Sequence, residues 1–521
     1  MTQPRPRPTL ALIIGLFVSL LSLVPAARAD EFVDRVNAPF KGIPEDKRSD
    51  LVLLPLLAAM DKPPAVLRSQ THAALLGNKG PGWSDCADWA QKKPQKDILD
   101  ALAKVTKEED RLKAFAFAQP YGVEGVSVDL ISKNMFTELG DPPLLAAAKF
   151  LYMPAMENAG ILVQVEASRR QEAGDSGGAL TVLTDWLFFL RQMADRPFVR
   201  EKKWALESGK LALERMRDVV YIDFRAEKHT LTPVKVREVI QRLRDRRGFL
   251  SLDRLSLPEG DFIAGEQLLA RVMEPGGGAN PATFGQTMAR TAAADRPLRM
   301  FSAQAYWDSA KAAAAGQREM STMLKGVRDD WMKRWDLSTF DKFVVTITDY
   351  RRRVLTSAKF AILHDLYRDI DALFQLRQQL KVEAGGTRMS LGAYGFFLRQ
   401  KNLPQTLASA RPEFIDSIDK DAFSKKGYDL EFFVPMRDTP KGPLGEPKPF
   451  TVHMYPPDPF PSFQISFGAD QFIIYSVGPD DNKGFAVYAT QTRTGVQGDY
   501  LLFPPTLSLY RQRLLETNQL K

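Results

Sequence analysis

Two clusters of residues have the types and spacing to do chemistry. The loop Gly174-Asp175-Ser176-Gly177-Gly178 has the letters of a serine-nucleophile turn. There, Gly and Ser amides form an oxyanion hole, and a distant His and Asp activate the hydroxyl. The chain holds only 4 His, and just one, His72, precedes Ser176. It stands in Thr71-His72-Ala73-Ala74, within a helical pattern. The same letters describe a helix stop followed by an N-cap from Asp175 or Ser176, and the helical flanks favour that reading. The second cluster is His364-Asp365 with Asp369 and Asp371, which could hold a divalent metal for hydrolysis. It would need another His, the nearest earlier one being His229, and a carboxylate from a second helix. Asp365 and Asp369 sit one turn apart, with Arg368 placed to neutralise them, so a solvated helix face is expected. A secreted carboxylate- or metal-dependent hydrolase using Asp365 and Asp369 is the alternative function.

Other motifs read as structure. Arg351-Arg352-Arg353 and the run Arg242 to Arg247 lack the interleaved aromatics of a single-strand binder, so they are read as exposed helix faces and no nucleic-acid partner is expected. Gly276–Gly278 lacks the Lys-Ser/Thr ending of a phosphate-cradling loop. Trp331 and Trp335, one turn apart, are expected in the core, as is Cys86 near Trp83 and Trp89.

Composition bounds the rest. The chain has 521 residues, 44% hydrophobic, 26% charged and 10% aromatic, which suits an ordinary globular protein of two to four domains. The first acid is Asp30. Before it come Arg5 and Arg7, the uncharged run Leu10 to Val24, Pro25, and Ala27-Arg28-Ala29. This order predicts a secretory signal peptide over residues 1–29, cut ahead of Asp30. The expected location is therefore the periplasm or the extracellular space, and membrane attachment would follow only from an uncleaved leader. Without that segment the net charge falls from +8 to +5, too weak a field for a polyanion binder. The single cysteine allows no intramolecular disulfide, so the core must hold the fold.

The elements that must position these residues come in two styles. From about Lys47 to Leu380 the apolar period is helical. In Leu231 to Gly248, Thr232 caps, Pro233 takes the first helical position, and Val236, Val239, Ile240 and Leu243 form one stripe. Further helices are expected at Gln95–Phe117, Pro143–Met156, Ile161–Gln171, Ala179–Met193, Arg200–Tyr221, Phe262–Val272, Ala303–Gly316 and Thr322–Trp335. A long helix is expected to start at the cap Ser338-Thr339-Phe340-Asp341 and to end at Gly385-Gly386. After Tyr428 the period becomes two, with strands expected at Leu430–Val434, Phe450–Tyr455, Phe463–Phe467, Phe472–Val477, Phe485–Thr490 and Tyr500–Phe503. The predicted fold is mainly α. An irregular helical bundle (30–336) is followed by a small α+β domain (337–521) with an antiparallel sheet packed on a long helix. Phe472–Val477, a near-continuous apolar run, is expected to be its central strand.

The segments Leu391–Leu407 (LGAYGFFLRQKNLPQTL), Asp419–Phe423 (DKDAF), Phe472–Asp480 (FIIYSVGPD) and Gly498–Phe503 (GDYLLF) occur in an order that resembles the C-terminal part of major type II secretion pseudopilins. The likeness covers roughly Thr339 to Pro505, and FIIYSVGPD is its specific part. Ala422 stands where the pseudopilin pattern has Pro, and the leader is not of the prepilin kind, which argues against a fibre subunit. The resemblance implies a module found at the end of secreted bacterial proteins that are helical at the front. It also implies calcium near the turn, where Asp480, Asp481, Asn482 and Asp499 offer hard oxygen ligands. The competing reading of those residues is a polar β-turn. No other cofactor is expected. The leading function is an exported, non-enzymatic helical scaffold or binding protein with protein partners in the cell envelope.

Overall fold

The computed structural model describes residues 30–521 except 78–79, 109, 111–112, 245–249, 296–299, 347, 440, 442–444, 447, 449, 456–460, 479, 491–498 and 521; the side chains of 292–304, 365–368 and 490 are likewise outside the description. The proposed leader, residues 1–29, lies outside it too. No described helix is long and apolar enough to cross a membrane.

The chain opens with helices α1 (Glu31–Lys41), α2 (Ser49–Ala58), α3 (Gln70–Leu76), α4 (Trp83–Gln91), α5 (Lys93–Val105) and α6 (Val128–Ser132). A two-stranded ribbon follows, β1 (Thr137–Glu138) with β2 (Lys149–Phe150). Then come α7 (Met153–Glu172), α8 (Ser176–Met193), α9 (Val199–Arg225), α10 (Pro233–Arg242), α11 (Glu259–Val272), α12 (Phe284–Asp295), α13 (Met300–Ala313) and α14 (Gln317–Arg334). Gly174, at φ +76°, turns the chain between α7 and α8, and the Asp175 carboxylate accepts from the Gly178 amide at 2.7 Å. The predicted stop and cap are therefore in place. Helix α8 is buried on nearly every face from Leu180 to Met193, as a central helix must be. The helix expected at Gln95–Phe117 ends at Val105. Those expected at Pro143–Met156 and Ile161–Gln171 are one helix, α7, which begins only at Met153 because a 3-10 turn (Leu145–Ala147) and β2 occupy the residues before it.

The expected single helix from Ser338 to Gly385 is not one helix. Asp341 does cap, accepting from the Phe343 amide at 2.8 Å, but only for α15 (Lys342–Val345). Thr348 caps a second short helix, α16 (Asp349–Thr356), and the long helix α17 runs from Ala361 to Gln400. It passes straight through Gly385-Gly386. A Cβ on Gly386 would lie 2.6 Å from a Leu502 methyl, and one on Gly385 would lie 3.1 Å from the Asp419 Cβ. The glycines let the helix approach the sheet; they do not stop it.

The sheet strands are β3 (Glu431–Phe433), β4 (Phe450–Tyr455), β5 (Phe463–Phe467), β6 (Ile473–Ser476), β7 (Tyr488–Thr490) and β8 (Asp499–Phe503), in the order β3-β6-β8-β7-β4-β5. It is mixed, not wholly antiparallel as expected: β7 runs parallel to both β4 and β8. Turn-rich spacers suggested hairpins throughout, but β7 enters between two strands that already point its way. Strand β6 is internal and buried along its whole length. Ile474 faces the large core that also holds Trp186, Phe374 and Leu502, whereas Ile473 and Tyr475 face a second cluster with Val452, Met454 and Leu509. Both faces are covered, which is why the run reads as continuously apolar. Leu509 belongs to a final helix, α18 (Thr506–Glu516), absent from the sequence reading. The large core extends from Val36 to Phe503 and so crosses residues 336 and 337 without a break.

Candidate functional site

Helices α9 and α17 lie along each other and carry ionic side chains into the seam with the sheet. Arg217 pairs with Glu383, both fully buried, and also donates to Thr387 Oγ1 at 2.7 Å. Tyr500 of β8 donates to the other oxygen of Glu383, joining helix to sheet. Isolated buried charges are costly, and each group here has its partner. Nearly two turns beyond Arg217, Asp223 accepts from Ser176 Oγ (3.0 Å), Thr230 Oγ1 (2.6 Å), the Thr230 amide (2.9 Å) and Tyr394 Oη (2.5 Å). Burial works against its charge, yet the bonds from Thr230 and Tyr394 outweigh that and hold the carboxyl below the usual range.

Above this carboxylate the seam opens into a groove of about 740 Å³. Its floor is aromatic: Phe397 packs on Phe224 with centroids 5.1 Å apart, and Phe396 and Leu403 extend it. Tyr394, anchored by Asp223, stacks on Phe397 at 6.0 Å and fixes that floor. Val434 closes the sheet side. Arg225 stands on the rim, paired with Asp470 at 2.6 Å. Arg437 joins it, donating to the carbonyls of Pro404 (3.0 Å) and Gln405 (3.1 Å). An apolar floor under a rim of both charges suits an inserted side chain with polar flanks.

The sequence-selected residues distribute as follows. Ser176 is no nucleophile. Its hydroxyl donates to the Asp223 carboxylate and lies 2.7 Å from Thr230 Oγ1, while the His229 ring bonds the Asp223 carbonyl. A serine relay needs His between Ser and Asp, and here the carboxylate touches the serine. His364 lies near the start of α17 and His229 beside Phe397 near its end, roughly 50 Å apart at the helical rise. They cannot share a metal. Asp369 is exposed, Asp371 faces Arg351 at 3.8 Å, and the Asp365 side chain is outside the described residues. Arg242 and Arg351 depart from the solvated faces expected of them. Arg242 lies over the Phe188 ring and bonds Asp185 at 3.0 Å, and Arg351 donates to the Val344 carbonyl at 2.7 Å. Trp331, Trp335 and Cys86 are buried as expected.

The oxygen ligands named for calcium are engaged within the protein. Asp480 accepts from the Asn482 amide at 3.0 Å, an Asx turn. Asp481 accepts from Ser424 Oγ at 2.7 Å, and Asp499 from the Ala486 amide at 2.6 Å. Among the described residues no three His, Cys, Asp or Glu side chains are grouped to hold a metal ion. Asp421, which was not selected for any role, is the hub beside them. It accepts from Ser476 Oγ at 2.9 Å and the Val477 amide at 3.0 Å, joining DKDAF to FIIYSVGPD. Desolvation raises Asp421 to about 6 and Asp499 to about 7, and the neighbouring aspartates add to both.

The groove itself escaped the sequence reading. Its one local signal was the aromatic pair Phe396-Phe397 at the end of α17. No family model matches the chain, and neither a characterised protein nor a solved structure is detectably similar to it.

Proposed function

We propose that the chain is an exported, non-catalytic binding protein whose helical body and pseudopilin-like C-terminal module together hold a segment of a protein partner in the cell envelope. The observation that carries this reading is the groove of about 740 Å³, with Phe224, Phe396 and Phe397 as its floor and Arg225 and Arg437 on its rim. Such a floor rewards burial of an apolar anchor, and the rim arginines orient its polar flanks. The hydrolase alternative has less support, because Asp369 is exposed and the two histidines lie at opposite ends of α17. Calcium at Asp480, Asp481, Asn482 and Asp499 is a subsidiary proposal. What supports it is the crowding of aspartates that a divalent cation would relieve, and binding would have to turn Asp480 and Asp481 from their present donors.

The test is capture of partners from an envelope fraction by the wild-type protein and by Phe396→Asp, a change at a half-buried groove position. A partner retained by the wild type and lost by the variant is expected, with both proteins equally folded by circular dichroism. A set of partners unchanged by Phe396→Asp would remove the groove from the reading.

A further inference from the structure

A second, smaller cavity of about 280 Å³ lies between α7, α9 and α18. Two arginines meet there around one carboxylate. Arg511 of α18 grips Asp218 through both Nη atoms, at 2.8 and 2.9 Å, and donates from Nε and Nη2 to the Leu75 and Ala74 carbonyls. Ser508 adds a hydroxyl to the same carboxylate at 2.5 Å, and Arg215 approaches it through Nη1. Asp218 is thereby saturated. Arg215, whose side chain is 1% exposed, then places Nη2 on Ser168 Oγ at 2.7 Å, while its Nε finds no acceptor among the described residues. Having accepted from Arg215, the Ser168 hydroxyl has its own proton to give. A buried guanidinium nitrogen without an acceptor is costly, and here it belongs to a side chain that lines a cavity.

Several features set the class of occupant. The missing acceptor must bridge a guanidinium and a hydroxyl, which a carboxylate does with two oxygens. It must carry a single charge, because a dianion would face Asp218 and also Glu172, an acid of the cavity lining held by Trp83 Nε1 at 2.8 Å. The remaining lining includes Tyr221, Ile222 and Leu515, which offers hydrocarbon to hydrocarbon. We propose that this cavity binds a short-chain monocarboxylate, its carboxylate on Arg215 and Ser168 and its alkyl chain along Tyr221, Ile222 and Leu515. The site is separate from the groove and does not depend on the partner-binding reading.

The test is isothermal titration of the full chain with butyrate, with inorganic phosphate and butan-1-ol as control probes. Saturable heat from millimolar butyrate is expected, with none from phosphate or butanol. Ser168→Ala should weaken butyrate binding by about tenfold, the cost of one hydrogen bond. Leu515→Glu lies on the surface helix outside the ion cluster, so it leaves the fold intact and adds a repelling charge beside the alkyl chain. It should weaken binding at least as much. Absence of butyrate heat would overturn the proposal. So would equal binding of butanol or phosphate, or wild-type affinity in both variants.

Discussion

Burial sets the protonation of two aspartates at one end of the sheet. Asp499 is 2% exposed, and loss of water raises it to about 7, with Asp480 and Asp421 adding repulsion. Its folded value lies above its unfolded one, so between about pH 4 and pH 7 the folded chain binds the extra proton. Stability from this residue is full below pH 4 and is lost as pH rises through 7, at a slope of at most about 1.4 kcal/mol per pH unit. Asp421, raised to about 6, acts in the same direction. Urea unfolding at pH 5, 6, 7 and 8 should therefore show Asp499→Asn gaining relative to the wild type as pH rises. If calcium does bind, millimolar calcium should cancel that relative gain, and magnesium should not. A gap between the two proteins that is constant with pH would mean that Asp499 is ionised throughout. The letters of this cluster were legible in the sequence, since Asp480 to Asn482 spell a turn. Asp421 was not, because its importance comes from Ser476 and Val477, which lie 55 and 56 residues away.

Elements were legible where a local rule decides them. Runs rich in aromatic and β-branched residues marked all six main-sheet strands, two of them to the residue, and Asp175 capped α8 as its letters suggest. Glycine was misread because its meaning depends on what comes near. At Gly386 the neighbour is Leu502 of β8, 116 residues later in the chain. Helix α18 was missed although Leu507, Tyr510 and Leu514 recur at three-to-four spacing behind Pro504-Pro505. Replacing Gly386 by Val makes a sharp test. On an exposed helix, removing glycine should gain a few tenths of a kcal/mol. Here the new side chain must displace Leu502, which is fully buried, so a loss of about 1–3 kcal/mol is expected in urea unfolding. A variant as stable as the wild type would show that α17 does not press on β8.

At the scale of the whole molecule, one core joins the helical body and the sheet, and this makes their unfolding a single event. All 7 Trp lie before Leu337, so tryptophan fluorescence watches the helical body alone. Ile474, by contrast, is a sheet residue with 0% exposure. Ile474→Asp would bury a carboxylate with no partner, at a cost of more than about 3 kcal/mol. The tryptophan midpoint should fall together with the far-ultraviolet circular dichroism midpoint, although no Trp is near the change in sequence. Proteolysis should accelerate in both halves. A tryptophan transition that stayed at the wild-type temperature would mean two independent domains, the division that the change of periodicity near residue 337 suggests. Sequence exposes that change of period but not whether the two parts share a core. That depends on which faces meet, as when Arg217 reaches Glu383 across 166 residues.

The bond from Arg511 to the Leu75 carbonyl spans 436 residues, and that distance sets a clock on biosynthesis. A ribosome adds about 5–20 residues per second, so α3 waits roughly 20–90 s for the helix that will latch it to α9. Asp218, once made, waits a further 293 residues for Arg511, and the sheet, made later still, lacks Leu509 until the same helix is complete. The nascent chain is thus held short of its native state until its last helix emerges. An incomplete chain is the form that a folding chaperone can hold.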